Sequence, residues 1–346
     1  MKNIFISLLL GFLLLSCESD NTIKNSTNTL PPSVGGVGEI LLVIDTNHLN
    51  NELGDALKKV FLEPYPGLPQ IEMNYKINKI HFPAFGSLFK KAKTVIFVVP
   101  FDDGKSKGYI QRMIGDEATT KIIKNGKSML VKNDVFAHHQ QIIFVFGKDS
   151  KKVAKNLIEQ GSKITAIIDK EENKRLLKKL YKVGERKKLA KKLDDDLGFD
   201  LRIPKDYKLV KGTKKCTWLR KALEETDFNI MISARPYTDE SQFDSLYIAN
   251  WGAELASNVD GGDSSSVKII QDIYPIESKT YPAPYMVENR SLWKLKNNAM
   301  GGPFVSQVKV SKDSKEIYYI EGFIVAPGKK KRVLVREIEA IMSTFE

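Results

Sequence analysis

The sequence predicts an α+β fold in two domains, each a mostly antiparallel or mixed sheet with helices packed on one face. Three observations carry this prediction. Short apolar runs bounded by Gly, Pro or Asp, such as EILLVID at 39–45 and TVIFVVP at 94–100, have the length of buried strands. Segments with apolar residues at helical spacing separate them, but hairpin-like neighbours are common, which argues against a wholly parallel sheet. The pattern restarts after Asp194-Asp195-Asp196 and Gly198, which divides the chain into 38–193 and 194–346.

In the first domain, Leu49, Leu53, Ala56, Leu57, Val60 and Phe61 recur at helical spacing, and Pro64 ends that helix. YPGLPQ is a rigid connector. Glu72–Phe82 alternates as a strand, Phe85–Ala92 is a short helix, and Thr94–Pro100 is a buried strand. Tyr109–Ile123 is helical with a break near Gly115. Ser128–Phe136 and Gln141–Phe146 are strands, and a helical region starts at Ser150 and runs to Leu193.

In the second domain, strands are predicted at Leu201–Ile203, Tyr207–Val210, Thr217–Arg220 and Asn229–Ala234. Ser241–Leu255 and Ser264–Pro275 are predicted helical. Val305–Val310 and Ile317–Val325 flank the polar turn KDSK and form a hairpin. Leu334, Ile338, Ile341, Met342 and Phe345 share one face of a last helix.

The formal charge is +12, but 174–192 alone holds ten Lys or Arg against one Glu. One basic segment sits on a nearly neutral chain, so general binding of nucleic acid is not implied. The segment carries Leu or Tyr at docking positions, and Lys187, Lys188, Lys191 and Lys192 are assigned to contact with an anionic surface. The two cysteines are Cys17 and Cys216. With Cys17 lipidated, no intrachain disulfide remains, and Cys216 in KKCTWLR reads as a small core residue.

The N-terminus supplies an address. Lys2 precedes the apolar run Ile4–Leu15, which at twelve residues is too short for a membrane span and suits a signal peptide. Leu14-Leu15-Ser16-Cys17 resembles a bacterial lipobox. The resemblance implies removal of residues 1–16, a diacylglycerol on the Cys17 sulfur and acylation, such as by palmitate, of the new amine. Two or more acyl chains anchor stably where one does not. Residues 17–37 then form the lipidated start and a flexible tether rich in Asn, Ser, Thr, Pro and Gly. Glu18 and Asp20 resemble the acidic export signal of some Bacteroidota lipoproteins. The expected location is the outer membrane, lipid-anchored, on its periplasmic side or at the cell surface.

The stretches GGVGEILLVID at 35–45, LPQIEMNY at 68–75, ENRSLWKL at 288–295, MGGPF at 300–304 and EGFIVAPGKKKR at 321–332 together resemble a Bacteroidota lipoprotein family of unknown function, domain of unknown function 4837. Met73 stands where that family more often carries Pro. The resemblance implies a lipoprotein habit and a bacterial phylum, and it supplies no activity and no catalytic residues.

Local motifs add little chemistry. His138-His139 lacks metal-ligand spacing, and Asp194–Asp196 lacks that of a calcium loop, so no metal and no cofactor are expected. GGDSSS at 261–266 lacks a nucleophile elbow, and Asp263 or Ser264 reads as a helix cap. Arg290 and Trp293, just upstream of Gly301-Gly302-Pro303, outline a ligand pocket or a packed corner. The expected function is that of a binding or assembly component of the bacterial cell envelope. Its partners would be the membrane, through the lipid, and an envelope protein or an anionic glycan or lipid. The rival is an envelope hydrolase acting on glycan or peptide.

Overall fold

Every residue of TVIFVVP is buried, so both faces of that strand need cover. The computed structural model describes residues 30–258, 267–269, 277–282, 285–295 and 300–346. Its first part contains β1 (Glu39–Val43), α1 (Glu52–Phe61), β2 (Lys76–Ile80), β3 (Thr94–Pro100), α2 (Gly104–Ile114), α3 (Asp116–Lys124), β4 (Met129–Asn133), β5 (Gln141–Gly147), α4 (Ser150–Leu180) and α5 (Lys187–Leu197). The strands form a mixed sheet in the order β2-β1-β3-β5-β4, with β4 antiparallel at one edge. Ile96 and Val98 face α1 and α4, against Leu57, Leu157 and Ile164. Val95, Phe97 and Val99 face the other way, against Phe82, Ile110 and Ile122.

Local signals set the ends of these helices. The Asn51 side chain accepts from Leu53 N to start α1, and Asp149 accepts from Lys152 N to start α4. The 31 residues of α4 make a rod about 46 Å long. It passes α1 at Gly161, where an added Cβ would lie 2.9 Å from Val60 Cγ2.

The second part contains β6 (Lys208–Thr213), β7 (Cys216–Ala222), β8 (Asp227–Pro236), α6 (Ser245–Ala256), β9 (Val267–Ile269), β10 (Glu277–Pro282), β11 (Tyr285–Leu295), β12 (Gly301–Val310), β13 (Glu316–Val325) and α7 (Arg332–Met342). Its sheet is antiparallel, in the order β10-β11-β12-β13-β8-β7-β6, with β9 also on β11. The predicted hairpin is β12–β13, with Val308 opposite Tyr319. One face packs α5 and α7 through Leu193, Leu197, Ile338 and Ile341. The other packs α6 through Ile248, Trp251 and Leu255. Residues Pro31–Glu346 form one unit. Within it, Glu72 accepts from the Lys331 and Arg332 N–H groups and so caps α7 across the two sheets.

The α+β class with one mixed and one antiparallel sheet matches the expectation, with differences of detail. Helices cover both faces of each sheet rather than one, because the central strands are apolar on both sides. The basic segment is two helices: Gly184, at φ 120°, lies in the break between α4 and α5. Asp194–Asp196 is no linker but part of α5, so the expected boundary at 193/194 falls inside a helix. Phe85–Ala92 holds a single 3-10 turn, Phe89–Lys91. Leu201 and Ile203 are buried in irregular chain rather than a strand. Val267–Ile269, expected helical, pairs with β11 as a strand.

Candidate functional site

Two short sequence patterns build the site. Glu288 and Arg290 are two apart on β11 and so share a face. Arg336 and Glu339 are three apart on α7 and share a helix face. The Arg290 Nε and Nη2 groups donate to Glu288 Oε1 at 3.0 and 2.8 Å, and Nη1 pairs with Glu339. The Tyr65 hydroxyl donates to Glu339 Oε2 at 2.5 Å, beneath the Arg290 guanidinium. Arg336 also lies over the Tyr65 ring, and it donates to Asp169 Oδ1 at 3.0 Å and to Asn74 Oδ1 at 2.5 Å. Tyr75 also donates to Asp169, at 2.8 Å.

The electrostatics follow from burial and pairing. Burial, then the Glu339 carboxylate, pushes the Tyr65 hydroxyl well above the ordinary phenol range. Burial opposes the charge on Arg290, but Glu339, Tyr65 and Glu288 more than offset it. Arg336 is likewise opposed by burial and held charged by Asp169. Its Nε is buried without a hydrogen-bond partner among the described residues. These groups line a groove of about 440 Å³. Gln307, whose Nε2 donates to Glu288 Oε2 at 3.1 Å, forms part of the wall. Exposed Lys170 and Lys279 stand in its lining, the latter 4.7 Å from the Tyr281 ring centroid.

The four residues assigned to a pocket do not converge here. Arg290 lines this groove. Trp293, an odd number of positions along β11, points to the opposite face and packs edge-on against Phe323, with centroids 5.2 Å apart. Gly302 lies opposite Trp293 in register. An added Cβ on Gly302 would overlap the Ile324 carbonyl oxygen, and one on Gly301 would lie 2.6 Å from the Trp293 carbonyl oxygen. These glycines serve close backbone approach in a packed sheet.

Lys187, Lys188, Lys191 and Lys192 are exposed on α5. Lys191 pairs with Asp195 at 2.8 Å, and Lys192 pairs with Asp196. Cys216 is buried, and burial pushes its thiol up. His139, at φ 60°, lies in the β4–β5 connection with Lys178 Nζ 2.7 Å from its Nε2. Among the described residues, no group of three or more His, Cys, Asp or Glu is placed to hold a metal ion. Cys17 and GGDSSS lie outside the described residues.

Sequence patterning did not single out Tyr65, Asp169, Arg336 or Glu339. The available signal was VREIE, in which Arg336 and Glu339 are three apart and so share a helix face.

Residues 186–344 match the model of a domain of unknown function, DUF4837, and residues 33–181 match another, DUF8532. The quoted stretches at 288–332 lie in the first match, and those at 35–75 in the second. A search of curated proteins finds no match. A solved crystal structure from Bacteroides thetaiotaomicron VPI-5482 is similar at 15% identity and a TM-score of 0.20. The likeness covers 43% of this chain and 44% of that one, less than half the length of either. Between them the two matches take in residues 33–344 apart from 182–185, and each is to a domain of unknown function.

Proposed function

We propose that the chain is a lipid-anchored component of the bacterial cell envelope, and that it binds a glycan bearing an acidic group in the groove around Arg290. The lining of the groove supports this. Asn74, Asn173 and Gln307 offer planar amides, which suit sugar hydroxyls. The Tyr281 ring suits the apolar face of a sugar. Lys170 and Lys279 supply cations for the acidic group. The test is calorimetric titration of the Cys17→Ala chain with uronate oligosaccharides and their neutral counterparts. Saturable binding of the acidic ligands, weakened by Gln307→Ala and by Lys279→Gln, is expected. Absence of saturable binding by either class would remove the proposal. The rival envelope hydrolase would instead shorten the oligosaccharide over a day, with loss of that activity in Glu288→Gln.

The lipobox and the short apolar run before it support the anchor. Cys17→Ala is expected to leave a soluble or unprocessed protein when cells are fractionated. A processed variant that remained with the outer membrane would count against lipidation.

A further inference from the structure

On the other side of α4 lies a groove of about 990 Å³, which adjoins the first at Lys170 and Asn173. Val131, Asn133 and Gln141 rise into it from β4 and β5. Asn133 and Gln141 are directly opposite in register, on the sheet face that α4 covers. Val131, Ile167 and Leu177 give it an apolar floor. Lys170, Lys174 and Lys178 follow at intervals of four along α4, one above another on the same helix face. Lys170 has no hydrogen bond or ion pair among the described residues, Lys174 makes a long ion pair with Glu171 at 3.8 Å, and Lys178 Nζ lies 2.7 Å from His139 Nε2. At the far end, Arg202 stacks on the Tyr181 ring at 3.9 Å and pairs with Glu185.

Gln141 marks this groove as more than a solvated basic face. It is 4% exposed and lines the groove, and its Oε1 is buried with no hydrogen-bond partner among the described residues. A buried acceptor left unpaired is disfavoured, and a donor on an occupant would satisfy it. An occupant must therefore offer an apolar body, an anion and a hydrogen-bond donor near that anion. Inorganic phosphate lacks the apolar body. A neutral lipid lacks the anion.

We infer that the groove on this side of α4 binds a single-chain anionic lipid with a hydroxyl or amide donor beside its head group. The acyl chain lies on Val131, Ile167 and Leu177. The head group meets Lys170, Lys174 and Lys178, and the donor meets Gln141 Oε1. Lys170 borders both grooves, but Lys174, Lys178 and Gln141 line this one and not the groove around Arg290.

The experiment titrates the Cys17→Ala chain with 1-lauroyl lysophosphatidic acid below its micelle concentration. Monolaurin, glycerol 3-phosphate, dodecyl phosphate and vesicles with 30% anionic phospholipid serve as comparisons. One-to-one saturable binding of the lysophosphatidic acid is expected, with monolaurin weaker by about tenfold, as charge-assisted contacts imply. Glycerol 3-phosphate should not bind. Lys174→Gln combined with Lys178→Gln should weaken binding by about tenfold. Gln141→Leu should abolish the preference for lysophosphatidic acid over dodecyl phosphate, which lacks the hydroxyl, while leaving uronate binding unchanged. Equal binding of monolaurin, binding of vesicles but not of monomeric lipid, or indifference to both variants would overturn the inference.

Discussion

The two sides of α4 treat charge in opposite ways. Around Arg290 and Arg336, the guanidinium groups meet carboxylates: Glu288, Glu339 and Asp169 are all engaged. On the wall that the two grooves share, Lys170 has no ion pair among the described residues, and across the helix Gln141 has a buried oxygen without a partner among them. A paired interior charge is part of the frame, because removing one partner strands the other away from water. An unpaired cation at a groove wall is stable without a partner, because water solvates it, and it stays available to a ligand. The frame and the recognition surface are therefore separable by mutation.

The sharpest test of that contrast is stability. Glu339→Ala leaves Arg290 Nη1 and the Tyr65 hydroxyl without their shared carboxylate. A loss of about 3–5 kcal/mol is expected from urea unfolding. Lys170→Ala on the exposed wall should change stability by no more than about 0.5 kcal/mol. Similar costs for the two variants would break the comparison.

A third kind of buried charge sharpens it. Glu321 lies on the α6 side of the second sheet, fully buried, with the Tyr319 hydroxyl donating to its Oε2. Burial pushes its carboxyl up to about 7, while Tyr319 works against the rise. The folded state therefore holds a proton that the unfolded chain releases above its ordinary value of 4.5. Stability should fall as pH rises from about 4.5 to about 7 and stay lower beyond that. Glu321→Gln should stabilise the protein by on the order of 2–3 kcal/mol at pH 8 and leave it unchanged near pH 4. Thermal melts at both values would show it. An equal effect at both pH values would mean that packing, not ionisation, accounts for the difference.

How much of this was legible in the sequence depends on where each partner lies. EILLVID, TVIFVVP and the hairpin around KDSK declared themselves because their apolar runs are local and continuous. β11 was harder. Its residues are buried on both faces, polar Glu288, Asn289 and Ser291 included, so no alternation marks it. The Arg290 pocket was half legible. ENR placed a cation and a carboxylate on one strand face, but Tyr65, Asp169 and Glu339 join it from 225, 121 and 49 residues away. Trp293 was misleading because proximity in sequence does not survive the alternation of a strand.

The division between the parts is testable by proteolysis. The boundary near 194 was drawn from a change of charge, yet α5 runs through it. The loop Tyr181–Arg186 exposes Val183 by 76% and includes Gly184 at φ 120°. We expect the first trypsin cut at Lys182, yielding two large fragments. A first cut within β11–β13 would rule out a division there.

The smallest expected effect concerns α5. Its last turns carry Asp194–Asp196, where the helix dipole disfavours negative charge. Lys191 and Lys192 offset that by pairing one turn ahead. Each such exposed pair contributes about 0.3–0.5 kcal/mol. Replacing Lys187, Lys188, Lys191 and Lys192 with Gln should therefore lower stability by under about 1 kcal/mol and leave the circular dichroism spectrum unchanged. Two of the four cations are already neutralised in place, so contact with an anionic surface rests mainly on Lys187 and Lys188. Cations near such a surface contribute about 1 kcal/mol each, less as salt rises. The quadruple variant of the Cys17→Ala chain should bind anionic liposomes about tenfold less well in low salt, with the difference vanishing at high salt. Lys191→Gln with Lys192→Gln alone should also weaken binding, because the substitutions remove two cations and leave Asp195 and Asp196 uncompensated beside the surface. Equal liposome binding by the wild type and the quadruple variant would identify α5 as a solvated face and leave the groove beside α4 as the basic surface to pursue.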